Sequence, residues 1–328
     1  MQPFRNILLY TDPAADETAR CRAVELAIEN KASLTLMNVV KPLPSMLGLT
    51  SAVDETDELQ RAIASDRRRR LLNLASDYSD TGVAMDVVTT IGDPAYETAR
   101  QVVQGEHDLL IKTADGFGLV DRMFGSVSQS LLRLCPCPVW LLKPDLHGQF
   151  DCVVAAVDAA SDDKVNRQLN QCILEQASLI AKRESAALHV VCAWNIWMEE
   201  PLRIKMGDVI VDAMAKEYEA NVGERLDDLL KEIKLQHPEL RRHVYRGNAV
   251  ETIREVVDHV KADLLVMGTQ CRTGVSGLLI GNTAESVLSD VKCSVLAIKP
   301  EGFVSPVISQ MQSSGIRWDA ASEYTLFA

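Results

Sequence analysis

The residues best placed to do chemistry in this 328-residue chain lie in one glycine-rich segment, which runs from Gly268 through Cys271 and Arg272 to Gly281, Asn282 and Thr283. Glycine lets a backbone approach a ligand closely, and the unpaired amides of a following helix start can hold a phosphate. The segment lacks the lysine of a GxxxxGK[ST] loop and the spacing of GxGxxG, so a phosphate cradle and an ordinary connection both remain open. Cys271, in a loop and next to Arg272, has the setting of a reactive thiol; the alternative is an incidental small residue.

Elsewhere the chemistry is thin. Asp12 and Asp158 each close an apolar run, but neither has a companion histidine or carboxylate at a recognisable interval. His107 and His259 read as surface or packing residues. The eight cysteines form no CxxC or Cys/His cluster of zinc spacing, and Cys135-Pro-Cys137 reads as structural, carrying the chain into a strand. The basic run Arg67 to Arg70 reads as a solvated helix face. Trp194-Asn-Ile-Trp197-Met198 either lines a cavity for an apolar or amphipathic ligand or packs in the core, and the apolar segment Val40 to Gly48 stands in a similar place in the first half.

These groups occur in pairs because the chain says nearly the same thing twice. Asn6-ILLYTD is answered by Cys152-VVAAVD, Gly92-Asp-Pro by Gly247-Asn-Ala, and Asp108-LLIK by Asp263-LLVM. Thr113 and Gly268 lie 155 residues apart, Gly125 and Gly281 156. One duplicated unit accounts for most of the chain. The predicted division is a first domain over 1–145, a second over 146–301, and a loosely packed or partner-dependent C-terminal extension over 302–328.

Apolar runs at 6–12, 34–40, 83–89, 108–113 and 139–143 read as strands buried on both faces, which implies a mainly parallel sheet. Helical spacing at 16–30, about 54–79, 94–104 and 126–134 gives an alternating order. The second unit repeats it with strands at 152–158, 187–194, 241–246, 263–268 and 294–299 and helices at 162–183, 208–235, 249–260 and 282–290. The expected fold is α/β: two tandem doubly wound domains, each a mainly parallel five-stranded sheet with helices on both faces. The stretch after Trp197, with Pro201, Met206 and Gly207, reads as mobile. In such sheets ligands bind at the carboxyl ends of the strands, which is where Asp12, Asp158 and the glycine-rich loop fall.

The net charge of −12 argues against nucleic acid as a partner. No apolar run approaches membrane length, and MQPFRNILLY lacks the basic head and apolar stretch of an export signal, so the expected location is the cytoplasm.

The strand-end aspartates, the DLL(V/I) strands, the GTxxRTG…GNTAE segment and the closing strands that end in Lys-Pro together resemble the universal stress protein family, in its tandem-domain form, over roughly residues 4–300. The resemblance implies packing through the last strands and a cytoplasmic bacterial stress-response role, and the leading expectation is action without catalysis, by binding a small ligand or a protein. In the branch of the family that binds ATP, the pattern is G-x2-G-x9-G-(S/T). Its counterparts here are Gly268, Cys271, Gly281 and Asn282 with Asp158, and Thr113, Gly116, Gly125 and Ser126 with Asp12.

Neither half keeps the pattern whole. Cys271 adds a side chain where glycine is expected, and Asp115 places a carboxylate beside a triphosphate. Two alternatives therefore stand beside binding without turnover. One is an ATP module, with magnesium and weak ATPase activity, in the second domain. The other is an adaptor with vestigial pockets, working through a protein partner or self-association.

Overall fold

The computed structural model describes residues 4–12, 17–43, 53–114, 125–143, 149–161, 163–235, 237–269 and 281–313. In chain order the first half contains β1 (Asn6–Tyr10), α1 (Glu17–Asn30), β2 (Ser33–Val40), α2 (Val53–Asp77), β3 (Met85–Ile91), α3 (Pro94–Gln104), β4 (Leu109–Thr113), α4 (Ser126–Leu134) and β5 (Val139–Leu142). The second contains β6 (Cys152–Val157), α5 (Lys164–Glu184), β7 (Ala187–Trp194), α6 (Glu199–Met206), α7 (Asp208–Glu232), β8 (Leu240–Arg246), α8 (Ala249–Val260), β9 (Leu264–Gly268), α9 (Asn282–Asp290), β10 (Ser294–Ile298) and α10 (Pro306–Ser313).

The ten strands among the described residues form one sheet in the order β3-β2-β1-β4-β5-β10-β9-β6-β7-β8. Each half is parallel throughout, and the halves join where β5 and β10 run antiparallel, with Val139 opposite Ala297, Trp140 opposite Leu296 and Leu141 opposite Val295. The last strands do pack together, as the resemblance implied, and they do so within one chain. Their side chains are buried on both faces, which is why these segments read as unbroken apolar runs. The outer strands β3 and β8 carry Asp86, Arg241 and Arg242 and are much less buried.

Two apolar layers sandwich the sheet, and both cross the domain boundary. One gathers α1, α5 and α7 around Ile7, Trp140, Phe150 and Leu296; the other gathers α3, α4, α8 and α9 around Leu8, Leu141, Val295 and Val287.

Most elements fall within two residues of expectation; α7 ends three residues early, at Glu232, and two segments differ in kind. The stretch after Trp197 is helical: α6 admits Pro201 in its first turn, where the missing N–H would have no partner anyway, and Gly207 (φ 83) ends it. Residues 302–313 are not a loose extension. Ser305 is buried, its Oγ accepts from the Val307 amide at 3.2 Å and donates to the Leu134 carbonyl at 2.6 Å, and α10 thereby lies against the first domain with Val307 fully enclosed. Residues 314–328 lie outside the described residues.

Candidate functional site

The strand order reverses between β1 and β4 and between β6 and β9, and Asp12, Thr113, Asp158 and Gly268 lie at the carboxyl ends of these strands.

In the first domain, Asp12 follows β1 and its carboxylate accepts from Arg67 Nη1 of α2 at 2.7 Å. Arg67 belongs to the basic run, whose other members are also engaged. Arg68 donates to the Val87 carbonyl on the outer strand at 3.0 Å, and Arg69 and Arg70 pair with Asp66 at 2.5 and 2.7 Å. Thr113 ends β4 with its hydroxyl oxygen buried, and Lys112 Nζ donates to the Thr113 carbonyl at 2.7 Å while lying 5.9 Å from the Tyr10 ring. Gly125 stands at the start of α4 with extended backbone (φ −70, ψ 178), and Ser126 is the first helical residue. Gly116 lies outside the described residues.

In the second domain, two buried asparagines of α5 hold the turn after β6. Asn170 Oδ1 accepts from the Asp158 amide at 3.0 Å, and Asn166 Nδ2 and Asn170 Nδ2 donate to the Asp158 carbonyl at 2.7 and 2.9 Å. Gly268 ends β9 against the same helix: a Cβ there would sit 2.6 Å from Leu169 Cδ2 and 3.3 Å from Ile173 Cδ1. The approach of α5 thus leaves little room for a side chain at 268, whatever binds nearby. Gly281 starts α9 (φ −57, ψ 140) without a side-chain cap, followed by Asn282 and an exposed Thr283. Cys271 lies outside the described residues.

The sequence left the role of the Trp194 to Met198 segment open, and the structure divides it. Trp194 is core, 3% exposed, with its ring 5.7 Å from that of Tyr218 on α7, whereas Trp197 is 82% exposed. Tyr218 Oη and Arg225 Nη1 both donate to the Ala160 carbonyl, at 3.4 and 3.1 Å, so α7 closes over the strand ends of this half. An open groove of about 800 Å³ lies instead between α7 and β8, lined by Gly223, Asp227, Arg241, Arg242 and Val244; none of the predicted site residues lines it.

Cys135 and Cys137 are buried, and burial pushes the Cys135 thiol up to about 12 and Cys137 well above its ordinary value, so both stay protonated. His107 is buried against Gly105, and burial pushes its pKa down; His259 is exposed at the end of α8. Among the described residues no three of His, Cys, Asp and Glu are grouped to hold a metal, and no helix is long and apolar enough to cross a membrane. Polar contacts that depend on strand register or helix docking escape sequence reasoning, two of them near the strand ends and the outer strand. One is Arg67 on Asp12. The other is a hydrogen bond between His189 and His243 on neighbouring strands.

The sequence profile described as "Universal stress protein family" matches residues 3–143 and again 153–299. Proteins named universal stress protein E from Photorhabdus laumondii and Escherichia coli K12 are each 27% identical, over 94% of this chain and 98% of their own length. Among solved structures, a functionally unknown protein from Pseudomonas aeruginosa PAO1 is 25% identical with a TM-score of 0.68, covering 95% of this chain and 97% of its own. A putative universal stress protein from Pseudomonas aeruginosa UCBPP-PA14 is 25% identical with a TM-score of 0.67, covering 95% and 98%. With the family profile matched twice and the five-stranded unit built twice, the chain belongs to the universal stress protein family, as a tandem-domain member of the kind represented by universal stress protein E.

Proposed function

We propose that this stress-response protein acts in the cytoplasm by binding a small ligand or a protein partner and that it does not turn a substrate over. The observation that carries the reading is the commitment of the strand-end groups to the fold. Asp12, the acid best placed for base chemistry in the first half, is ion-paired with Arg67 at 2.7 Å. In the second half Asn166 and Asn170 lock the Asp158 turn, and α5 accounts for the glycine at 268. A general base must reach a substrate proton at hydrogen-bond distance, and the Asp12 carboxylate, held by Arg67, is poorly disposed to do so.

A second reading, ATP with magnesium in the second domain, is favoured by one feature. The start of α9 at Gly281 carries no side-chain cap, and an uncapped helix start suits a phosphate. Calorimetric titration with ATP, with and without magnesium, separates the two readings when combined with a phosphate-release assay and repeated on Gly281→Arg. The expected result is no release above the blank. Saturable one-site heat, lost in Gly281→Arg, would move the function to nucleotide binding, and accompanying phosphate release would overturn the non-catalytic reading.

A further inference from the structure

The outer strand β8 is tied to its neighbour by more than backbone. His189 on β7 and His243 on β8 share a hydrogen bond, Nδ1 to Nε2, at 2.9 Å. Their ring planes lie within 10° and the centroids are 5.1 Å apart, so the rings meet edge to edge in nearly one plane, with a single proton lying between them. On its other side His243 Nδ1 meets Tyr245 Oη at 3.4 Å. His189 is 5% exposed and Tyr245 50%, so the row runs from beneath α8 to solvent. It lies on the face of the sheet that α8 covers, because His189 is two residues from Val191, whose side chain joins the layer under that helix.

We propose that the His189–His243 pair is an acid-sensing latch that holds the outer strand β8 in place and releases it when the pair is doubly protonated. In the neutral state each contact has one proton to share: Tyr245 donates to His243 Nδ1, and His243 Nε2 donates to His189 Nδ1. A first added proton fits on His243 Nδ1, which then donates toward Tyr245 Oη, and no contact breaks. A second must go to His189 Nδ1, where it confronts the N–H of His243, so the rings have to part.

The groups facing the pair all oppose added protons. Arg241 stands opposite His189 in strand register, His259 approaches from α8, and among the described residues no carboxylate figures among the charges that act on either imidazole. Burial first, and these positive charges second, push both histidines below the ordinary imidazole value. With the folded values depressed, the stabilisation is fully present above the unfolded value of about 6.5 and is lost as pH falls through the folded values. The mechanism places the change within the range of mild acid stress, where only histidine among ordinary side chains alters its charge.

The duplication supplies a control. The positions equivalent to His189 and His243 in the first domain are Thr35 on β2 and Val88 on β3, which cannot titrate. Amide exchange protection of β8 and β3, followed on the full chain between about pH 7.5 and 5, tests the proposal. Protection of β8 should fall about tenfold per pH unit for each extra proton the open state binds, while β3 stays level. In the double variant His189→Thr, His243→Val the fall should disappear. An equal fall in the variant, or unchanged β8 protection in the parent, would overturn the latch. If the variant does not fold, imidazole NMR titration of the parent decides. Two histidines that titrate independently at the ordinary value sink the proposal, and two depressed, interdependent steps sustain it.

Discussion

Arg22 of the first domain and Glu184 of the second form an ion pair at 2.5 Å in which the side chains are only 6% and 2% exposed. The pair lies between α1 and α5, and Glu184 also accepts from the Phe150 amide at 3.2 Å while the guanidinium lies 4.6 Å from the Phe150 ring. Phe150 in turn stacks on Trp140 of β5 at 6.2 Å. One buried polar knot thus ties the first helix, the connection between domains and the central strands into a single unit. Glu184→Ala removes the carboxylate from beside a buried guanidinium and should cost about 3–5 kcal/mol in urea unfolding. The double variant Arg22→Met, Glu184→Leu should recover part of that, because two apolar side chains carry no desolvation cost of their own while the Phe150 amide still lacks its Glu184 acceptor. A double variant as unstable as Glu184→Ala would show that the knot contributes through packing alone.

The contact between Gly268 and Leu169 separates a packing glycine from a ligand glycine. A methyl at 268 meets Leu169 Cδ2 at 2.6 Å, so Gly268→Ala should destabilise by about 1–3 kcal/mol through overpacking. Adding Leu169→Ala removes the clash, and Gly268→Ala should then cost less in that background than alone. Denaturant midpoints of the four proteins complete the cycle. Additive losses would mean that the glycine is needed for something other than α5.

These contacts mark where the sequence stopped being informative. The helix over 94–104 was legible to the residue because its signals are local: the Asp93 side chain accepts from the Tyr96 amide at 2.8 Å, and Pro94 opens the helix. The same local logic runs through Ser305-Pro306, a cap followed by a first-turn proline, yet the serines and Gly302 around that segment mask the signal. The parallel strands were legible because burial on both faces leaves an unbroken apolar run. What was not legible depends on distant partners. Arg67 reaches Asp12 across 55 residues, His189 finds His243 across 54, and only the docking of α5 reveals why position 268 is glycine. Composition and periodicity carry no register, so the sheet could be anticipated while its cross-strand polar contacts could not.

Alkaline pH should act on the interior thiols. Burial raises Cys135 and Cys293 to about 12 and Cys137 in the same direction, all above the ordinary 9.0. Groups raised on folding contribute stability that is complete below the unfolded value and is lost as pH rises toward the folded one. Each thiol should therefore cost about 1.4 kcal/mol per pH unit above pH 9. Lys299 works the other way: burial lowers it from 10.5 to about 8, so its contribution is present above 10.5, is lost as pH falls through about 8, and offsets one thiol in between. Urea midpoints taken from about pH 9.2 to 10.2 should fall steeply, and Cys293→Ala should flatten the slope by about one proton's worth. An unchanged slope in the variant would mean that the thiol at 293 ionises as freely in the fold as in the unfolded chain.

Ser305 fastens the end of the second domain to the first. Its hydroxyl both caps α10 and donates to the Leu134 carbonyl at the end of α4, while the neighbouring Lys299 ammonium donates to the Leu132 carbonyl and Arg133 pairs with Glu285. Two of the open carbonyls at the end of a first-domain helix are therefore satisfied by Lys299 and Ser305, from the far end of the chain. Ser305→Ala removes a cap and leaves a buried carbonyl short of a donor, a loss of about 1–2 kcal/mol. The effect should be local before it is global. Amide exchange should quicken in 305–313 and around Leu134 while the central strands β5 and β10 keep their protection. Uniform loss of protection across the sheet would instead make α10 part of the cooperative core.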